Sequence, residues 1–170
     1  MAIENKTFNS EYGFGINETT VLDDSRNILN INTVTIQNEH FTNSTKHAYI
    51  SSGLNNTILT TDGVAVPTIS NNTINFITTK VIGVNATGTG HYAVKFETNA
   101  TVDGSGNVLI LGELKTTIKD SIPTGQNWSV SSYGSGGPGE YSYSTNRGGT
   151  TDTIKWVAYT EVVSIDWSAP

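Results

Sequence analysis

A two-residue alternation of apolar and polar side chains runs through the middle of this chain. From Tyr92 to Val102 every second residue is apolar or Thr, and the residues between them, from His91 to Thr101, are mostly polar. This pattern is typical of a strand with one face on a core and the other in solvent. The helical pattern is almost absent, whereas short alternating runs separated by Gly, Asn and Asp recur. The sequence therefore predicts an all-β protein with antiparallel sheets.

The aromatic residues place the main core in the second half of the chain. All three Trp residues lie within residues 87–170, and aromatic side chains supply the most buried area per residue. At least five short strands with turn signals between them predict an antiparallel, jelly-roll-like β-sandwich here, with Trp156 in its core. In the final strand, Ile154 to Trp167, the apolar phase changes near Thr160, which predicts a β-bulge or a twist between two sheets.

The residues before this sandwich are less apolar, and we predict two further segments there. Residues 1–45 contain polar turns and short strands with few large apolar side chains. Because such a segment buries little apolar surface, we expect an extended N-terminal arm that needs partners to offset its ordering entropy. Residues 46–86 contain a short internal repeat in two copies, Asn55-Asn56-Thr57-Ile58 and Asn71-Asn72-Thr73-Ile74. Each copy predicts a turn that leads into a short strand, and together they predict a short β-meander or connector.

Charge and composition exclude several classes of partner. The formal net charge of −6 argues against nucleic acid, because a phosphate-binding surface must be basic. No apolar run approaches the ~20 residues that span a membrane, so we expect no membrane partner. The first five residues lack the apolar core of a secretory signal, so we expect synthesis in a cytoplasm.

Candidate chemistry is sparse, and we predict a protein that is not an enzyme. The chain has no Cys, and His40, His47 and His91 have no metal-ligand spacing. The adjacent carboxylates Asp23 and Asp24 are typical of a turn. The loop 134–139 matches G-x-G-x-x-G, but a strand-like run follows it, so no helix N-terminus would meet a phosphate. We therefore expect no catalytic residue, no metal and no cofactor.

One N-terminal segment resembles a known family. Residues 21–31 read Val-Leu-Asp-Asp-Ser-Arg-Asn-Ile-Leu-Asn-Ile, a polar turn followed by a short alternating strand. The segment is similar to V-[IL]-D-x-S-R-N-[IL]-x-N-[VI], a unit of tail fibres and other surface appendages of tailed bacteriophages, particularly phages of aquatic bacteria. In those appendages the unit repeats along a trimeric shaft, whereas this chain contains it once.

The resemblance implies a structural protein of a phage virion, made in the bacterial host cytoplasm and assembled on the particle surface as a homotrimer. Its arm, from Thr7 to Ile36, would dock to capsid or tail proteins or intertwine with sister chains. A single copy of the unit favours a small component, and both a short tail fibre and a capsid decoration protein remain open. The residues that the resemblance assigns to docking and assembly are Val21, Leu22, Arg26, Ile28 and Ile31.

A cluster of tyrosines suggests an alternative function. Tyr133, Tyr141 and Tyr143 flank the Gly-rich loop and could form a surface that stacks on sugars. The alternative function is therefore a carbohydrate-binding β-sandwich module that recognises host surface glycans. Aromatic residues of this kind are more often core residues, and the sequence leaves that choice open.

Overall fold

The computed structural model describes residues 14–16, 19–22, 33–37, 44–134 and 136–167. These residues contain strands and no helix, which confirms the all-β prediction. The strands are β1 (Phe14–Ile16), β2 (Thr19–Leu22), β3 (Thr33–Gln37), β4 (Thr45–Leu54), β5 (Thr57–Ile58), β6 (Thr73–Asn85), β7 (His91–Val102), β8 (Val108–Ser121), β9 (Asn127–Tyr133), β10 (Ser142–Gly148) and β11 (Ile154–Asp166).

The chain divides into two compact units, Met1–Asn32 and Thr33–Pro170. In the first unit, β1 and β2 form an antiparallel hairpin in which Phe14 lies opposite Leu22. In the second unit, six strands form a large antiparallel sheet in the order β3-β4-β11-β6-β7-β8. A smaller sheet has the order β5-β10-β9.

These boundaries differ from the predicted divisions at 45/46 and 86/87. The segment 46–86, expected to be a connector, supplies β4 and β6, and these strands flank β11 on both sides in the large sheet. The sequence conceals this arrangement because β11 pairs with strands that lie about 70 to 120 residues earlier in the chain, and local patterns carry no sign of such pairing.

The core lies between the small sheet and one face of the large sheet, which we call the inner face. Tyr143 of β10 packs on Phe96 of β7, with ring centroids 4.8 Å apart. Trp128 of β9 meets Trp156 of β11 edge to face, with centroids 6.2 Å apart. All four side chains are buried, which confirms Trp156 as a core residue and gives the predicted sandwich its two layers.

The predicted irregularity in the last strand is wrong. β11 pairs with β4 and β6 without a register shift, and its buried residues keep a single phase from Ile154 to Ser164. Polar residues hold inward positions because they find buried partners: Thr160 accepts a hydrogen bond from Thr79 at 3.0 Å, and Ser164 donates one to Asn75 at 2.5 Å. The apolar residues Val163 and Ile165 consequently face outward.

Candidate interaction surface

The second face of the large sheet, which we call the outer face, carries large apolar side chains that remain exposed. Strand geometry sends alternate residues to opposite faces, so the neighbours of the buried residues on β4, β6 and β11 all point outward. Eight of these side chains are 44–57% exposed. They are Ile50 and Leu54 on β4, Ile74, Phe76 and Ile82 on β6, and Val157, Val163 and Ile165 on β11.

The strand register gathers seven of these side chains into two bands at opposite ends of the strands. In the first apolar band, Ile74 lies opposite Ile165 and Phe76 lies opposite Val163. In the second apolar band, Ile82 lies opposite Val157, with Leu54 at the end of the neighbouring strand β4. The eighth side chain, Ile50, lies opposite Tyr159 at the level of Lys80.

A charged band separates the two apolar bands. Lys80 and Lys95 lie opposite each other on β6 and β7, next to the second apolar band. Glu161 and Glu97 both lie opposite Thr78, next to the first apolar band. Across β11, β6 and β7 the outer face therefore has four zones along its strands: apolar, acidic, basic and apolar. Two lysines lie within the apolar bands, Lys46 opposite Val163 and Lys155 opposite Leu54.

Three charges of this band are paired within the chain. Lys95 Nζ donates to Glu97 Oε1 at 2.9 Å, and Lys46 Nζ lies 3.5 Å from Glu161 Oε1. The Tyr159 hydroxyl donates to Glu161 at 3.0 Å, and this hydrogen bond, followed by the charge of Lys46, lowers the pKa of Glu161. These ion pairs are exposed, so they add little to the stability of the chain.

The size of the outer face suits a protein–protein contact. Strands of about ten residues span ~34 Å and six strands span ~24 Å, so one face covers roughly 800 Å². One partner of a stable complex contributes about 800 Å². Exposed apolar patches bordered by polar residues are typical of interaction sites on soluble proteins.

The sequence of β11 indicates that both faces of this strand are apolar, although a search for simple alternation does not detect it. From Trp156 to Ile165, β11 is apolar at most positions on both phases, as is typical of strands covered on both faces. The prediction of a phase change near Thr160 assumes instead that one face of each half of the strand is polar.

The residues predicted for docking lie largely outside the part of the chain that the structure describes. Val21 and Leu22 belong to β2, where only the backbone is described. Arg26, Ile28 and Ile31 fall among residues that are not described, as does the Asp23-Asp24 turn. The assignment of these residues to docking stays a prediction.

The predicted tyrosine surface is contradicted for two of its three members. Tyr141, just before β10, and Tyr143, within β10, have no exposed surface, because their rings face the large sheet and bond to Thr98 and Thr79 there. Burial raises the pKa of both hydroxyls. Only Tyr133, at the end of β9, is partly exposed, so the three rings do not form a common platform.

Other polar sites in the described residues offer little chemistry. His47 lies between the hydroxyls of Thr35 and Thr45, at 2.9 and 2.7 Å, beside a cavity of about 340 Å³, and burial lowers its pKa. Within the described ranges, no group of three or more His, Cys, Asp or Glu side chains could hold a metal ion.

The Gly-rich loop also matches its sequence-based interpretation. It leads into β10, a strand, and its Gly139 amide donates to the carbonyl of Gly106 in the β7–β8 turn at 2.7 Å. A search of the described residues for a helix long and apolar enough to cross a bilayer found none.

Comparisons with known proteins give structural matches and no sequence match. No protein-family model matches the chain, and no curated protein matches it. The chain is similar in structure to the tailspike gp49 of Acinetobacter baumannii bacteriophage Fri1, described as a capsular polysaccharide depolymerase. That match has a TM-score of 0.42 and 14% identity and covers 80% of this chain but 22% of the tailspike.

A second match is the tailspike of Acinetobacter phage vB_ApiP_P1, with a TM-score of 0.32 and 17% identity, covering 84% of this chain and 26% of that one. The chain thus spans about a quarter of the length of these solved structures, and its structural neighbours at low identity are Acinetobacter phage tailspikes.

Proposed function

We propose that this chain is a non-enzymatic structural protein of a tailed-phage virion, which assembles as a homotrimer on the particle surface. The observation that supports assembly is the outer face, where eight large apolar side chains are exposed, seven of them in two bands, on a sheet whose opposite face already has a complete core. The phage assignment rests on the resemblance of residues 21–31 to the appendage unit.

A solitary molecule would keep this outer face in water at a cost in free energy. Burying the remaining half of one Ile, Val or Phe side chain stabilises an interface by on the order of 1 kcal/mol. Eight such side chains therefore provide a driving force comparable to the entropy lost on association. Identical copies are the simplest source of a partner surface, because every copy carries the same bands.

The N-terminal unit has a separate role in this proposal. Val21, Leu22, Arg26, Ile28 and Ile31 would dock to capsid or tail proteins or intertwine with sister chains, as the resemblance implies. Both a short tail fibre and a capsid decoration protein fit this arrangement. Glycan binding by the tyrosine cluster is not part of the proposal, because Tyr141 and Tyr143 are buried.

Sedimentation velocity over a range of protein concentrations tests the proposed assembly. We expect a trimer for the natural chain and a shift towards monomer for Phe76→Asp or Val163→Asp, since each places a charge in an apolar contact. Val64→Asp is the matched control, because Val64 is 85% exposed on a loop outside the sheets. A natural chain that is monomeric at every concentration would overturn the proposal.

The docking assignment needs its own variant. Changing both Ile28 and Ile31 to Asp should abolish incorporation into particles or weaken the oligomer, while the fluorescence of the buried Trp128 and Trp156 stays unchanged. If particles and oligomer both survive the two changes, the docking role is wrong. Immunogold labelling of particles distinguishes head from tail.

A further inference from the structure

We infer that three copies of this chain pack their outer faces around a threefold axis that runs perpendicular to the strands. The inference rests on the proposed homotrimer and specifies which parts of each copy meet. It places the first apolar band of one copy against the second apolar band of the next. The order of the four zones along the strands supports this arrangement.

The charged rows are complementary only when the strands run perpendicular to the axis. In that arrangement three sheets form the sides of a triangular prism, and at each corner one end of a sheet meets the opposite end of its neighbour. The first band, with Ile74 and Phe76, then meets the second band, with Ile82 and Val157. On β6, apolar residues therefore contact apolar residues at all three corners.

The charged band also favours an axis perpendicular to the strands. Its acidic row borders the first apolar band and its basic row borders the second. Neighbouring copies in the prism therefore bring Glu97 of one against Lys95 of the next, and acidic and basic rows alternate around the axis. Opposite charges that alternate in this way fix the register between copies.

An axis parallel to the strands would lose the complementarity of charge. All copies would then present each zone at the same height, so that Glu97 of one copy would approach Glu161 of the next. Like charges that face each other oppose association. The basic residues Lys80 and Lys95 would face Ile50 and Tyr159, which offer no negative charge.

The dimensions of the sheet agree with a prism. A side of ~34 Å places the middle of each sheet about 10 Å from the axis, so neighbouring sheets approach the usual ~10 Å spacing of packed sheets only towards the corners. The charged band lies in the middle of the strands, nearest the axis, where long Lys and Glu side chains fill the remaining space. The apolar bands lie towards the corners, where two sheets approach each other most closely.

Disulfide trapping in the full chain tests this arrangement. The chain contains no Cys, so the variant Phe76→Cys/Ile82→Cys carries the only two thiols. These positions are six residues apart on β6, about 20 Å, which no intramolecular disulfide can bridge. Oxidation should give covalent trimers on a non-reducing gel, because each copy links residue 76 to residue 82 of the next.

A second cysteine pair serves as the matched control. Ser52 and Ile82 both lie opposite Val157 on the two strands that flank β11, so they are about 10 Å apart and cannot be joined within one chain. The variant Ser52→Cys/Ile82→Cys should give no covalent trimer. Trimers from this pair would place the axis along the strands and overturn the inference.

The outcomes separate this inference from the proposed function. Covalent dimers as the end product of the 76/82 pair would indicate twofold pairing and overturn the threefold arrangement. A natural chain that sediments as a trimer but gives no 76/82 link would overturn only the orientation. A natural chain that is always a monomer would overturn the proposed function itself.

Charge reversal provides an independent measurement. Glu97→Lys should raise the concentration at which trimers dissociate by about tenfold, because the new charge meets Lys95 of the neighbour. The double variant Lys95→Glu/Glu97→Lys should return it towards the natural value. Tighter assembly by Glu97→Lys alone would overturn the inference, since that result is expected when Glu97 faces Glu161.

Discussion

The hydroxyl groups of Tyr141 and Tyr143 hold the two sheets in one orientation. The Tyr143 hydroxyl donates to Thr79 at 2.7 Å, and Thr79 donates in turn to Thr160. The Tyr141 hydroxyl donates to Thr98 at 3.2 Å. Because these donors and acceptors are buried, a shift of the small sheet over the large one would leave polar groups without partners.

Tyr143→Phe tests the contribution of this network. The ring still packs on Phe96, but Thr79 loses a hydrogen bond, so we expect the free energy of unfolding to fall by about 1–2 kcal/mol. Tyr159→Phe is the control: its hydroxyl is exposed and bonded to Glu161, and its removal should cost less than about 0.5 kcal/mol. Urea unfolding at one protein concentration measures both, and equal losses would contradict the assigned role.

Sequence patterns do not separate a core tyrosine from a surface tyrosine. Tyr141 and Tyr143 alternate with Ser142 and Ser144 near a Gly-rich loop, which suits an exposed strand as well as a buried one. The deciding partners, Thr79 and Thr98, lie more than 40 residues away in the chain. Trp156 was predictable as a core residue because its large apolar surface favours burial in almost any arrangement.

At the scale of the elements, β6 and β11 depend on close contact between one glycine and one tryptophan. Gly83 lies opposite Trp156, and the indole ring covers the place that a Cβ atom at residue 83 would occupy. The missing side chain lets Trp156 lie flat on the sheet and reach Trp128 of the small sheet.

Gly83→Ala should therefore destabilise the fold. The added methyl group must displace Trp156, at a cost of about 1–3 kcal/mol in the free energy of unfolding. Gly112→Ala on β8 is the matched strand control, because no atom lies within 4 Å of its added Cβ and the change should be close to neutral. Thermal unfolding followed by tryptophan fluorescence measures both, and a neutral Gly83→Ala would contradict this packing.

The strands themselves were largely predictable, and their faces were less so. The alternation from Tyr92 to Val102 matches β7, whose buried residues are those of the predicted apolar phase. On β11 the prediction of a bulge is wrong because Thr160 and Ser164 are polar but buried. Hydrogen bonding in the core decides which phase faces inward, and residue type alone does not reveal it.

At the scale of the whole molecule, the two sheets of the sandwich differ in size. A sheet of three strands covers the inner face of a sheet of six, and no strand of the described second unit covers the outer face. Domain boundaries could not be predicted because the large sheet combines strands from residues 33–54 with strands from 73–121 and 154–166. The N-terminal pattern predicts a need for partners in the first unit, whereas the proposed assembly surface lies in the second unit.

Assembly through the outer face should make thermal stability depend on concentration. For a trimer that unfolds to monomers, each tenfold rise in concentration adds about 0.9 kcal/mol per chain, or about 3 °C in Tm for a chain of this size. The Tm of Phe76→Asp should depend less on concentration. Differential scanning calorimetry at several concentrations measures this, and a constant Tm for the natural chain would contradict assembly.

The position of β11 between β4 and β6 also governs how the chain reaches its folded state on the ribosome. Until β11 has been synthesised, β4 and β6 lack the strand that lies between them, and the large sheet cannot form as one continuous sheet. A nascent chain that lacks this strand has no continuous outer face to offer to its neighbours. Completion of the large sheet, and with it of the proposed assembly surface, therefore waits for residues 154–166.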